Sequence, residues 1–235
     1  MAQRTDIAGS TERTNPWAVS TRQVVYMAIG AALYGLFSWA TAALRIPGPF
    51  NSQIRPGVAI PLFFGAAFGP IVGFFSGFVG NIIGDLLSAY GFSWNWSLGN
   101  GIMGLIAGLS VYYAPRLNNA RAIAIAVGFS ILGIIVGMGF AAFTDPFVYG
   151  ITVEAAWAEF LPVFISNAIA AIILIPILSV AWEAVRARTG RFLRAEALAA
   201  VPAGNGTGPA PGDPHPAYAP ATRPHPIAPD YPSNV

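Results

Sequence analysis

Polar side chains that could hold a molecule are few in this chain and gather in one stretch. Asn81, Asp85, Tyr90, Phe92, Trp94, Asn95, Trp96 and Asn100 follow one another closely, and Asn51, Gln53 and Arg55 stand before the uncharged run that leads into them. Aromatic faces supply stacking area, and a few amides with one charge of each sign supply orientation, so the set suits a flat, polar, vitamin-sized molecule. Three alternatives stay open. Trp94 and Trp96 are either pocket walls or anchors at a membrane interface, where such rings gather anyway. Arg55 and Asp85 are either ligand contacts or a structural ion pair. Asn167 is either a pocket wall or a hydrogen-bonding residue between helices. A second location, should the first be wrong, is marked by Glu154, Trp157, Glu159 and Asn167.

Catalysis is poorly served by what remains. The chain has no lysine, so no glycine-rich loop can end in the Lys-Ser or Lys-Thr of a P-loop. Both histidines, His215 and His225, lie in the last stretch, and cysteine is absent, which leaves no serine–histidine or zinc site. Asp85 and Asp145 fall near different helix ends, with no reason to meet as an aspartyl dyad. No enzyme activity, metal or cofactor is expected, nor a nucleic-acid partner.

The elements that must position the polar residues are membrane helices. Apolar residues make up 55% of the chain and charged residues 9%, with a mean hydropathy of +0.59. Soluble domains are about one-quarter charged. From Pro56 to Gly84 there is no charge, between Arg55 and Asp85. That run exceeds the ~20 residues of one span and falls short of two. Gly69-Pro70 at its middle turns the chain and stops the helix, which predicts a short helix over Pro56 to Phe68 and a second from Pro70 to about Ser88. Further uncharged runs cover Gln23 to Leu44, Leu86 to Pro115, Ala122 to Thr144 and Phe160 to Trp182. The expectation is an all-α polytopic membrane protein, a compact bundle of six transmembrane helices over residues 23–190. A polar cytoplasmic tail over 1–22, rather than a cleaved signal peptide, precedes it, and a Pro/Gly-rich disordered cytoplasmic tail over 191–235 follows.

Arginine placement supports six spans. With both termini in the cytoplasm, Arg4, Arg13, Arg22, Arg116, Arg121 and the cluster from Arg186 to Arg194 face inward, and Arg45 and Arg55 face outward. Asp145, Glu154 and Glu159 then fall on the outer face. Glycines recur every four residues, at Gly65, Gly69, Gly73 and Gly77 and again at Gly104 and Gly108, the spacing by which helices pack closely in lipid. Ala28 and Ala32 form a similar ridge on the first helix, by spacing alone an internal packing face.

The block Ile54 to Leu109, with its Arg-Pro, Phe-Gly-Pro, Gly-Phe-x-Gly and Gly-Asp elements in order, resembles the substrate-binding S components of energy-coupling factor (ECF) vitamin transporters. The similarity is closest to the riboflavin-type or unassigned-substrate branch and covers roughly Val24 to Arg186. It implies a bacterial plasma-membrane protein that captures a vitamin or other micronutrient from outside, partnered by a membrane T component and two cytoplasmic ATPases. It also implies that Ala28 and Ala32 dock onto the T component, and that Ile46 to Arg55 forms a lid over the ligand. No vitamin-specific set of contacts stands out. The alternatives are a solitary transporter or channel working without ATPases, and a non-transport membrane assembly protein.

Overall fold

The structure is a computed structural model, and it describes residues 17, 19–44, 54–88 and 91–199. Asn51, Gln53 and Tyr90, most of the N-terminal tail, most of the lid segment and residues 200–235 lie outside the described residues. Internal contacts divide the chain into two units, Met1–Gly190 and Arg191–Val235. Of the second, 191–199 are described and helical.

The described residues form helices and no strand. Helix α1 (Thr21–Ala40) starts at Ser20, whose hydroxyl accepts from the Gln23 amide while the Gln23 side chain accepts from the Ser20 amide at 2.9 Å. This reciprocal cap satisfies two donors that a helix start leaves open. A 3₁₀ turn (Pro56–Val58) leads into α2 (Ala59–Phe68), and α3 (Pro70–Leu87) follows after one residue. That residue, Gly69, has φ of 110°, a conformation that side chains rarely tolerate, so the sequence-predicted hairpin turns where only glycine fits easily. At ~1.5 Å rise per residue, the ten residues of α2 reach about half of a ~30 Å bilayer core.

Helix α4 (Trp94–Gly108) continues as a 3₁₀ turn (Leu109–Tyr112), and α5 (Ala120–Tyr149) and α6 (Val153–Ala199) complete the order. Among the described residues the bundle has six α-helices. Four of them, α1, α3, α5 and α6, are long and apolar enough to cross a membrane, and α2 is a shorter apolar helix. Both α5 and α6 outrun the uncharged windows Ala122 to Thr144 and Phe160 to Trp182. Asp145 and Glu159 therefore lie inside helices, not in a loop between them, and both are buried.

Backbones pack directly against one another through α3, α4 and α5. A Cβ at Gly73 would collide with the Gly104 carbonyl oxygen, one at Gly104 with that of Gly73, and one at Gly99 with that of Gly137. Since lipid gives little hydrophobic drive between helices, such close approach is what holds them. Helix α6 packs differently, through rings. Trp157 and Phe160 meet Phe143 of α5, and Trp182 meets Phe68 and Tyr26 edge-on.

Candidate functional site

Helices α3 and α5 end, and α2, α4 and α6 begin, at the same end of the bundle. A cavity of about 430 Å³ opens there, within the range of small-molecule sites. Its lining comes from α1, α3, α4, α5 and α6 and from the turn that leads into α2, and its polar groups fall into two walls.

The first wall is a continuous hydrogen-bond network. Arg55, just before α2, donates to Asp85 Oδ1 at 2.6 Å and to Asn81 Oδ1 at 2.6 Å. Asn81 Nδ2 donates to the other Asp85 oxygen at 2.8 Å and to Ser97 at 3.2 Å. Asn100 Nδ2 reaches Asn81 Oδ1 at 3.3 Å, and the Tyr34 hydroxyl donates to Asn100 Oδ1 at 2.7 Å. Asp85 and Asn81 sit one turn apart on α3, which is why one guanidinium can hold both. Burial acts to lower the Arg55 pKa, but Tyr34 and Asp85 raise it beyond that, and the net lies above its ordinary value. The guanidinium stays charged.

The second wall belongs to α4, α5 and α6. Asp145 accepts from Asn95 Nδ2 at 2.5 Å and from the Trp96 indole N–H at 3.0 Å, so its carboxyl is fixed and so is the Trp96 ring. The Glu159 carboxyl lies close enough to Asp145 for the two groups to interact. Glu159, Val163 and Asn167 line the cavity at four-residue steps along α6. Glu159 is 9% exposed and Asn167 6%, yet among the described residues no N–H or O–H donates to Glu159 and Asn167 has no hydrogen-bond partner. Tyr149 closes this side, its hydroxyl 2.9 Å from Ser93 Oγ.

Of the residues singled out from sequence, Arg55, Asp85, Phe92, Trp96, Asn100 and Asn167 line the cavity. Asn81 and Asn95 are fully buried behind it, each holding a lining carboxylate. Trp94 is not part of the lining and is 48% exposed. Glu154 and Trp157 are exposed as well, whereas Glu159 and Asn167 from that second set share the cavity with the first. Asp85 and Asp145, which had no reason to meet in sequence, line one cavity from different walls. Tyr34 and Tyr149 were not anticipated: Tyr34 lies mid-way along an apolar helix, and nothing in its spacing marks it. Ala28 and Ala32 are exposed, which corrects the internal packing face that spacing alone suggested.

Three described carboxylates and one guanidinium line a cavity of this kind in a helical bundle that reads as membrane-embedded. Comparison with known proteins gives it a family. The family described as ECF-type riboflavin transporter, S component, matches residues 18–184. A UPF0397 protein of Aliivibrio salmonicida is 36% identical over 136 residues, 56% of this chain and 73% of the relative. One of Vibrio atlanticus is 36% identical over 135 residues, covering 55% and 73%. A third, from Streptococcus pneumoniae, is 26% identical over 178 residues, covering 72% and 93%. With most of its bundle matched, the chain belongs to the ECF-type riboflavin transporter S-component family, and is a membrane-embedded substrate-binding component of a transporter.

Proposed function

We propose that this protein captures a small, polar, vitamin-like molecule in the cavity at the end of its bundle, for ATP-driven uptake through a membrane T component and two cytoplasmic ATPases. The observation that carries the reading is the cavity itself: about 430 Å³, bounded by fixed polar groups and by the rings of Trp96 and Tyr149. A site in which side chains are already held by hydrogen bonds needs little ordering when its ligand arrives, and that favours affinity. Both termini lie in the cytoplasm and the cavity opens outward in a bacterial plasma membrane, the arrangement that puts most arginines inside.

Energy must then come from elsewhere, because no nucleotide-binding loop is present in the sequence. The exposed ridge of Ala28 and Ala32 on α1 is the docking face for the T component: small side chains allow another helix to approach closely. Riboflavin, the ligand in the name of the matching family, is the first compound to try.

The experiment is purification in detergent from cells grown on rich medium, with mass spectrometry of the small molecules released on denaturation. One compound at near-stoichiometric amount is expected, and its absence from a folded, monodisperse preparation rejects capture. Paired Ala28→Leu and Ala32→Leu changes are expected to abolish complex formation with the T component while leaving that compound bound. Complex formation that survives both changes would instead reject the ridge as the docking face.

A further inference from the structure

The two walls of the cavity are not charged alike. Arg55 and Asp85 compensate one another at 2.6 Å, which leaves Asp145 and Glu159 without an opposing charge among the described lining residues. The two carboxyls lie close enough to interact, and a proton taken up by the pair would relieve their mutual repulsion. It does not remove the imbalance. With that proton in place, the three carboxyl groups still carry two negative charges against one guanidinium, and a negative charge remains in a cavity surrounded by apolar helices, where an unpaired charge is costly.

Two further observations point to an occupant. Glu159 and Asn167, more than nine-tenths buried on the same face of α6, line the cavity, and among the described residues no N–H donates to Glu159 and Asn167 has no hydrogen-bond partner. Next to Asp145, the Trp96 ring is fixed by its own N–H, and Tyr149 lines the same side. A carboxylate beside aromatic faces is the setting in which organic cations are held, by Coulomb attraction and by the electron-rich ring faces together.

We infer that the molecule captured here carries a positive charge, as a protonated amine, an amidinium or a quaternary ring nitrogen, seated against Asp145 and Glu159 beside Trp96. Asn167, two turns along α6 from Glu159, then bonds a polar group on the remainder of the molecule. The inference rests on the capture reading above and adds the charge class of the ligand.

The test uses the purified full-length protein in detergent, offered a yeast extract and an equimolar mixture of thiamine and spermidine (cations), riboflavin (neutral) and biotin (an anion). Native mass spectrometry identifies what is retained, and titration calorimetry measures its affinity for wild type and for Glu159→Gln. Glutamine has the shape of the protonated acid, so it keeps a hydrogen bond to Asp145 and denies the pair the second negative charge that it can present to a cation. The expected result is retention of a compound that is cationic at neutral pH, with affinity weakened by about tenfold or more in Glu159→Gln and ligand-free thermal stability equal to wild type or higher. Retention of a neutral or anionic compound overturns the charge assignment and leaves capture standing. So does a cation bound equally well by Glu159→Gln. If a folded wild type retains nothing from either source, capture itself fails, and the charge assignment with it.

Discussion

The two walls of the cavity differ in where their hydrogen bonds go. On the α3–α4 side, Arg55, Asn81, Asp85, Asn100 and Tyr34 bond mainly to one another, and the helices that carry Asn81, Asp85 and Asn100 touch backbone to backbone. On the α5–α6 side, Asp145 is held by α4, but among the described residues Glu159 and Asn167 have no N–H donor, and α6 meets α5 through side-chain rings. A polar network closed on itself serves first to fix the shape of a core. Groups left open toward a cavity serve a ligand. The first wall is thus the frame and the second the contact surface, although the charged residues most visible in the sequence belong to the first.

The largest effect that follows is on stability. Arg55→Met removes the partner of Asp85, whose side chain is 2% exposed, and leaves a carboxylate buried with only Asn81 to bond it. Breaking a buried pair from one side costs about 3–5 kcal/mol, so the variant is expected to unfold in detergent at markedly lower temperature or to fail to accumulate. Glu159→Gln should show no such loss. Should Arg55→Met keep wild-type stability and lose only ligand affinity, the division into frame and contact surface is reversed.

The frame was the legible part of this molecule for a physical reason. An apolar run interrupted only by Gly69-Pro70 has few ways to fold in a membrane, and charges bounding it at Arg55 and Asp85 are brought to the same end once it folds back. The contact surface was hidden by the same logic. Taking charges as the ends of spans put Asp145 and Glu159 on the outer face, beyond the uncharged windows, whereas α5 runs to Tyr149 and α6 starts at Val153. Helical phase held the missing signal. Stepping back from Asn167 by four residues gives Val163 and then Glu159, and stepping forward from Ile134 gives Met138, Ala142 or Ala141, and Asp145, all buried. Trp94 and Trp96 are also separable in this way, since residues two apart on a helix face in nearly opposite directions. Tyr34 had no such signal: its place depends on Gly80, where a Cβ would come within 2.8 Å of its ring.

Next in size is the packing that keeps the frame in place. Gly104→Ala puts a methyl group onto the Gly73 carbonyl oxygen, and neither backbone can yield without separating α3 from α4. A loss of about 1–3 kcal/mol or more is expected, read as a fall in melting temperature and in ligand affinity together. Gly128→Ala in α5 is the control. Nothing lies within 4 Å of a Cβ there, so stability should be unchanged or slightly raised.

The tryptophans sharpen the contact surface itself. Trp96→Ala removes a fixed ring from the lining and a donor from Asp145, and is expected to weaken the retained ligand by ten- to a hundredfold, on the order of 1–3 kcal/mol. Trp94→Ala, on the exposed side of the same helix, is expected to change affinity less than about twofold, within the usual effect of a surface substitution. Calorimetry on both variants checks this, and equal losses would mean that the ring at Trp94 reaches the ligand.

The smallest effect separates the two walls most directly, because it compares one residue type in both. Asn81 makes hydrogen bonds to Arg55, Asp85, Ser97 and Asn100, so Asn81→Ala leaves several buried partners unsatisfied and lowers ligand-free stability by about 1–3 kcal/mol. Asn167 has no protein partner to leave behind among the described residues. Its removal from the ligand-free protein should cost almost nothing, while a single lost hydrogen bond to the ligand weakens binding by about 0.5–1.5 kcal/mol, a several-fold rise in Kd. Thermal unfolding without ligand and calorimetry with it, run on both variants, give a crossed pattern if the walls divide the work in this way. If Asn167→Ala destabilises the ligand-free protein as much as Asn81→Ala does, the α6 amide belongs to the frame, and Glu159 is left as the main polar contact from that helix.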